Sequence, residues 1–298
     1  MKGIVLAGGS GTRLHPATLA ASKQLLPVYD KPMIYYPLSV LMLADIREIL
    51  VISTEQGVLA MRSLLGDGSQ LGLSLSYEVQ TEPRGIADAF VIGERFIGGD
   101  ASALVLGDNL FHGANFRGKL QEARKRLDGC VLFGYPVQDP ERYAVGELDL
   151  SGRLVSIEEK PEKAVSNNAI TGLYLYDSDV VEIAKQVRPS ARGELEITDV
   201  NLMYLREKRA GFVQLGRGFT WLDTGTYQSL LEAGQFVQVM ERRQGIRIAC
   251  LEELALRMGF ITAEECRRLG ARMNNSDYGR YVIDIADSLG SVEMDRML

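Results

Sequence analysis

The sequence predicts an α/β protein: a mostly parallel, mixed sheet flanked by helices, with an antiparallel insertion and a helical C-terminal region. Three observations predict it. The first half alternates short apolar runs with helical patterns, which is how a parallel sheet covered on both faces reads. The middle holds strand-like runs joined by a tight Ser151-Gly152 turn. The tail shows helix-start signals ahead of one-sided apolar patterns.

Taken in order, residues 3–7 form a short apolar run that reads as a buried strand, and 48–53 is a second, rich in Ile, Leu and Val. Residues 73–79 alternate, with Leu73, Leu75, Tyr77 and Val79 on one face, as a half-buried strand does. Residues 103–106 and 131–135 follow in the same manner. Between the strands lie helical patterns at 33–44, 56–65, 86–95 and 116–127. Pro32 suits the first position of the helix at 33–44, and Pro37 is expected to kink it. Residues 147–150 and 153–158 read as a hairpin, 169–176 as a further strand and 212–215 as another. Helices are expected at 179–187, 197–208 and 227–242. Thr262-Ala-Glu-Glu265 fits a capping box, and Ser276 suits the cap of a last helix presenting Tyr278, Val282, Ile285 and Leu289 on one face. The layout is Rossmann-like. It divides into a core over residues 1–240, with the insertion at about 139–220, and a helical region over 241–298 suited to subunit or regulatory contacts.

Composition removes several classes of function. The 298 residues are 46% hydrophobic and 24% charged, the balance of a folded globular chain. A net charge of −6 argues against a nucleic-acid coat. The first apolar run, residues 4–7, is too short for a secretory leader, and nothing approaches the ~20 apolar residues of a membrane span. Cys130, Cys250 and Cys266 are widely spaced with no CxxC, as expected of thiols in a reducing cytoplasm. His15 and His112 are the only histidines, too few for a histidine-rich metal site or a histidine triad.

The first strand runs into Gly8-Gly9-Ser10-Gly11-Thr12-Arg13. Glycines let backbone N–H groups approach a phosphate closely. The run is neither a dinucleotide fingerprint, which needs a third glycine, nor a Walker A loop, which needs Gly-Lys-Ser/Thr. Arg13 directly after the turn can clamp a polyphosphate through paired hydrogen bonds, and Lys23 offers a second cation. By spacing alone, a tight turn with a solvated Arg13 reads equally well.

The string Leu6-Ala-Gly-Gly-Ser-Gly-Thr-Arg-Leu14, followed by Ser22-Lys-Gln-Leu-Leu-Pro27, resembles the signature of sugar nucleotidylyltransferases. The match is closest to the glucose-1-phosphate thymidylyltransferase family. Further pieces in the family's order are Leu106-Gly-Asp-Asn109, Asp139-Pro-Glu-Arg-Tyr143, Glu158-Glu-Lys-Pro161, Thr171-Gly-Leu-Tyr174, Arg192-Gly-Glu-Leu-Glu-Ile-Thr-Asp199 and Trp221-Leu-Asp-Thr-Gly225. The resemblance implies transfer of a thymidylyl group from dTTP to α-D-glucose 1-phosphate, giving dTDP-glucose and pyrophosphate, in a nucleotide-sugar route such as that to rhamnose or another deoxysugar. It implies Mg²⁺ held by Asp108 and Asp223, and a cytoplasmic homotetramer. Arg13, Lys23 and Lys160 would be the catalytic cations. Gly8, Gly9, Ser10, Gly11, Thr12, Arg13, Gln24, Gln80, Pro83, Gly85 and Asp108 would hold the nucleotide. Tyr143, Ala144, Glu159, Lys160 and Thr171 would hold the sugar phosphate. An amide side chain both donates and accepts, which suits Gln24 and Gln80 to the imide edge of thymine or uracil. UTP or another hexose 1-phosphate with the same chemistry is the alternative, and a non-catalytic sugar-nucleotide-binding regulator is a further one.

The chain departs from the family pattern in places. Ala144 stands where a glycine is usual, and if that position needs φ > 0 the loop is strained. Ile86 replaces a leucine and Asp88 a glutamine. The tail segment around Cys250, Glu253 and Arg257 resembles a regulatory nucleotide site, but with Leu251 for a proline, Leu256 for an aromatic and Arg117 for a histidine.

Overall fold

The computed structural model describes residues 1–9 and 11–297, with side chains through residue 289. Nine strands form one sheet. Lys2–Ala7 lies parallel between Glu48–Ser53 and Ser102–Leu106, and Ser74–Val79 extends the parallel half to one edge. Asn168–Tyr176 runs antiparallel beside Ser102–Leu106 and also pairs Cys130–Pro136. Ala144–Leu148 and Leu154–Glu159 add the expected hairpin, and Ala210–Gln214 pairs Cys130–Pro136.

Lys2–Ala7, Glu48–Ser53 and Ser102–Leu106 are apolar at successive positions because both of their faces are covered. Val5, Val51 and Val105 point into one core cluster, while Ile4, Leu50 and Leu104 point into another. Tyr35–Leu43, Glu55–Leu65, Phe116–Lys125 and Leu251–Arg257 cover the first face. Asp88–Ile92, Val180–Gln186 and Ile197–Arg206 cover the second. A third cluster seats the long helix Tyr227–Gln244 through Ala233 and Val237.

Helix ends follow local chemistry. Thr262 accepts from Glu265 N while Glu265 Oε2 accepts from Thr262 N at 2.8 Å, the expected capping box. Ser276 Oγ accepts from Gly279 N at 3.0 Å ahead of Asp277–Met297. Two expectations about proline need correction. Tyr35–Leu43 begins later than predicted, so Pro32 lies in the short strand Lys31–Pro32 and not at a first helical position. Pro37 then falls in the first turn, where a backbone N–H has no intrahelical partner anyway, and it imposes no break. The helix predicted at 86–95 is two pieces, Asp88–Ile92 and Glu94–Ile97, joined at Gly93.

One unpredicted element decides the position of the site. Asn109–Gly113 and Phe219–Asp223 form a two-stranded antiparallel ribbon apart from the main sheet, with Asp223 opposite Asn109. The short pair Pro27–Val28 and Lys31–Pro32, and the helix Leu251–Arg257, are also additions to the sequence reading.

Candidate active site

The carboxyl ends of the parallel strands converge on one side, where ligands sit in open α/β sheets. Ala7 leads into Gly8, Val79 into Gln80, and Leu106 through Gly107 into Asp108. Gly9 and Gly11 have φ of 95° and 59°, so the turn uses a region that L side chains rarely enter. A Cβ on Gly8 would stand 2.6 Å from Gln80 Oε1. Ser10, assigned to this loop, lies outside the described residues. Leu14 is buried and anchors the following single turn, leaving Thr12 and Arg13 exposed.

A cavity of about 240 Å³ opens beside this loop, lined by Gly8, Gly9, Gln24, Gln80, Pro83 and Gly85 among others. Both amides are buried. Gln24 Oε1 accepts from Ser22 Oγ at 2.8 Å. Gln80 Nε2 donates to Asp88 Oδ2 at 3.1 Å and to Gly85 O at 3.3 Å, so Asp88 orients the amide. Gly85 has φ of 103°, and a Cβ there would meet the Leu195 carbonyl oxygen at 2.5 Å. Strain and clash together predict that Gly85→Ala lowers stability by about 1–3 kcal/mol. A urea midpoint equal to that of the unmodified protein would show that the loop relaxes freely.

A second cavity, of about 210 Å³, is lined by Arg13, Tyr143, Ala144, Glu159, Lys160 and Trp221 among others. The two cavities share Ile86, Leu106, Asp108 and Glu194. Asp223 lines the second cavity with Asp108, brought there by the ribbon. Thr224 locks the pair, donating from its N and Oγ1 to the Asp108 carbonyl oxygen at 3.0 and 2.7 Å. The two carboxyls are unlike. Burial favours the neutral form of Asp108, but Lys23 Nζ at 2.5 Å and a 2.9 Å hydrogen bond from Asn109 outweigh it and hold this carboxyl below its usual range. Burial, and then the charge of Asp108, push Asp223 up against the opposing charges of Lys23, Arg142 and Arg13.

Lys160 adopts φ of 44°, its N–H bonded to Tyr143 O at 3.0 Å. Its Nζ is 3.5 Å from Glu159 Oε1, and Glu159 Oε2 accepts from Thr198 Oγ1 at 2.6 Å. Arg192 closes the same wall, 2.9 Å from Glu196 and 3.7 Å from both Glu159 and Glu194.

Three expectations change. Thr171 does not face the cavity: along Asn168–Tyr176 the lining residues are Ile170, Gly172 and Tyr174, and period two turns Thr171 to the other face, fully buried with an unpartnered Oγ1. Ala144 begins a strand with ordinary φ, so it bears no strain and acts only through the methyl it adds to the cavity wall. Ala144→Gly is therefore expected to shift the KM for the sugar phosphate that the resemblance implies, with no more than the small stability loss of a glycine in a strand; an unchanged KM would remove the idea. Cys250 is sealed in the core at 1% exposure, and burial pushes its thiol up, so it offers nothing to a ligand. Glu253 and Arg257 pair with each other at 2.7 Å on the tail helix, away from both cavities.

Sequence reasoning gave no role to Asn109, Arg142, Arg192, Glu194 or Trp221, all of which line the second cavity. Their only signal was membership of the motif strings. Asn109 is the hinge among them: its Oδ1 accepts from Trp221 Nε1 at 2.6 Å and from Gly172 N at 3.1 Å.

The chain is similar to known proteins along most of its length. Residues 2–239 match the nucleotidyl transferase family model. A glucose-1-phosphate thymidylyltransferase of Neisseria meningitidis is 56% identical over 283 residues, covering 95% of this chain and 98% of the relative. One from Xanthomonas campestris pv. campestris is 54% identical over 285 residues, covering 96% and 97%. A Bacillus anthracis structure solved with a sucrose, itself provisionally assigned as a glucose-1-phosphate thymidylyltransferase, superposes with a TM-score of 0.74 at 40% identity, covering 79% of this chain and 94% of that one.

Proposed function

The chain belongs to the nucleotidyl transferase family, within it to the glucose-1-phosphate thymidylyltransferases, and from that premise we propose that it joins dTTP to α-D-glucose 1-phosphate, giving dTDP-glucose and pyrophosphate. The observation that carries this reading is the meeting of two cavities at Asp108, one walled by glycines and buried amides, the other by Lys160 and Glu159. A phosphate oxygen of the sugar phosphate attacks the α-phosphorus of the triphosphate, and pyrophosphate leaves. Two polyanions must meet, so positioning and charge neutralisation dominate.

Gln24 and Gln80 read the base edge, and the glycine loop with Arg13 takes the outer phosphates. Lys23 orients the reacting phosphates, Lys160 grips the sugar phosphate, and Glu159 accepts from the sugar hydroxyls. Asp108 and Asp223 would hold Mg²⁺. Among the described residues no group of three or more acidic, histidine or cysteine side chains could hold a metal ion, and a carboxylate pair suits a cation that takes its remaining ligands from phosphates and water. When bound, it would offset charge on the phosphate oxygens.

A cytoplasmic homo-oligomer, a homotetramer by family resemblance, completes the proposal. Three buried free cysteines support the reducing compartment. Among the described residues no helix is long and apolar enough to cross a membrane. Tyr227 and Leu231, exposed one turn apart on the long helix, support subunit contact.

Pyrophosphate release should be measured for dTTP and UTP against several hexose 1-phosphates, with and without Mg²⁺. Metal-dependent release that is fastest with dTTP and glucose 1-phosphate is expected. No release from any pair would overturn the reading, and equal turnover of UTP would overturn the choice of base.

A further inference from the structure

Arg142 shares the second cavity with Asp108, Asp223, Arg13 and Lys160. Its fixation differs from that of Lys160 and Arg192. Lys160 and Arg192 lean on Glu159, Glu194 and Glu196, which line the cavity themselves and cancel their charge in place. Arg142 Nη1 donates instead to Asp139 Oδ2 at 2.6 Å, and Asp139 is not part of the cavity wall. The counter-ion stands behind, and the guanidinium brings positive charge to the wall.

The mounting involves several contacts. Arg142 closes the single turn Pro140–Arg142, with its carbon 5.3 Å from the Tyr143 ring centroid. Tyr143 meets Trp221 edge-on at 5.1 Å, and Trp221 is tied to Asn109 beside Asp108. The stack therefore sets Arg142 relative to the ribbon that carries both aspartates. A guanidinium has five N–H donors and Asp139 engages one group of them, so donors remain for a phosphate. Arg142 is also one of three cations whose charge counters the rise of Asp223.

Resting on the function given above, we propose that Arg142 is a catalytic residue that holds the phosphate of the hexose 1-phosphate during attack, and that Asp139 is its positioning partner. The guanidinium bonds that phosphate directly and aligns its attacking oxygen.

The test compares Arg142→Ala, Arg142→Lys and Asp139→Asn in the full-length, Mg²⁺-supplied enzyme, alongside the unmodified protein. With dTTP saturating, Arg142→Ala should lower kcat/KM for glucose 1-phosphate by about 10- to 100-fold, the range for losing a charged hydrogen bond. The KM for dTTP should stay within about threefold. Arg142→Lys should recover part of the loss, and added guanidinium ion should recover part of it for Arg142→Ala. Asp139→Asn should show a smaller loss in the same parameter. An unchanged kcat/KM in Arg142→Ala overturns the proposal. So does a loss that neither lysine nor guanidinium reverses, because that marks a structural role. If the unmodified enzyme releases no pyrophosphate, the function itself fails and this inference fails with it; an active enzyme indifferent to Arg142 sinks the inference alone.

Discussion

Asp108→Asn should lower kcat by about three orders of magnitude, corresponding to about 4 kcal/mol of lost charge stabilisation at the transferring phosphoryl group. The substitution keeps the shape of the side chain. The fold should survive it, because the bonds that lock the ribbon run from Thr224 to the Asp108 backbone carbonyl and not to its carboxylate. What changes is charge. Lys23 loses its partner at 2.5 Å, and the pair offered to Mg²⁺ loses its more acidic member. The raised carboxyl of Asp223 is the first of the two to take up a proton as pH falls, so acidification should weaken Mg²⁺ binding through Asp223. Turnover across a Mg²⁺ titration, with direct metal binding in the presence of dTTP, checks both statements. A turnover within about tenfold of the unmodified enzyme would show that Asp108 is not central to the chemistry.

The glycine-walled side of the site was legible in sequence because it is local to strand ends. A glycine run after the first strand, Gln80 after the third and Asp108 after the fourth fall where parallel-sheet topology places ligands. Asp223 is different. Its position depends on a ribbon whose halves lie more than a hundred residues apart, with Thr224 bonded to Asp108 across a separation of 116. Asn109–Gly113 and Phe219–Asp223 are short and pair outside the main sheet, so no period in either marks them as partners. Only resemblance joined the two aspartates before the fold did.

Thr171 was misassigned for a related reason. Asn168–Tyr176 is buried at nearly every position, so alternation, which normally tells one strand face from the other, is silent there. The register against Ser102–Leu106 is set from Leu173 to Tyr176, and counting back by two from Tyr174, which lines the cavity, brings Gly172 and not Thr171 to that face. The strain expected at Ala144 vanished because the residue starts a strand, paired opposite Glu159. A missing glycine signals backbone strain only where φ is positive, and here the positive value belongs to Lys160.

Glu241→Ala should remove about 3–5 kcal/mol of stability, the usual consequence of deleting one partner from a buried ion-pair network. Glu241 Oε1 lies 2.9 Å from Lys31 Nζ and accepts from Ile248 N at 2.8 Å, while its Oε2 is 3.1 Å from Arg247 Nη1. Lys31 and Glu241 side chains are only 2% and 3% exposed, so water cannot replace what is lost. Asp30 pairs with both cations, but one carboxylate then faces two positive charges, and the Ile248 N–H is left without its acceptor. The network fastens the Pro27–Pro32 hairpin to the long helix and, through Lys31 near the Tyr278 ring, to the tail. The residues that follow that hairpin also bear on the site: Ile34 N bonds the carbonyl oxygen of Gln24, next to Lys23, at 2.9 Å, and Met33 N bonds Leu26 O at 3.0 Å. A second effect follows, a raised KM for dTTP in the gentler variant Glu241→Gln, which keeps the shape and one acceptor but not the charge. Urea unfolding of Glu241→Ala and dTTP kinetics of Glu241→Gln separate the two. A loss of less than about 1 kcal/mol would mean the surrounding cations reach solvent when Glu241 is gone, and the ion pair would then count as no more than a surface one.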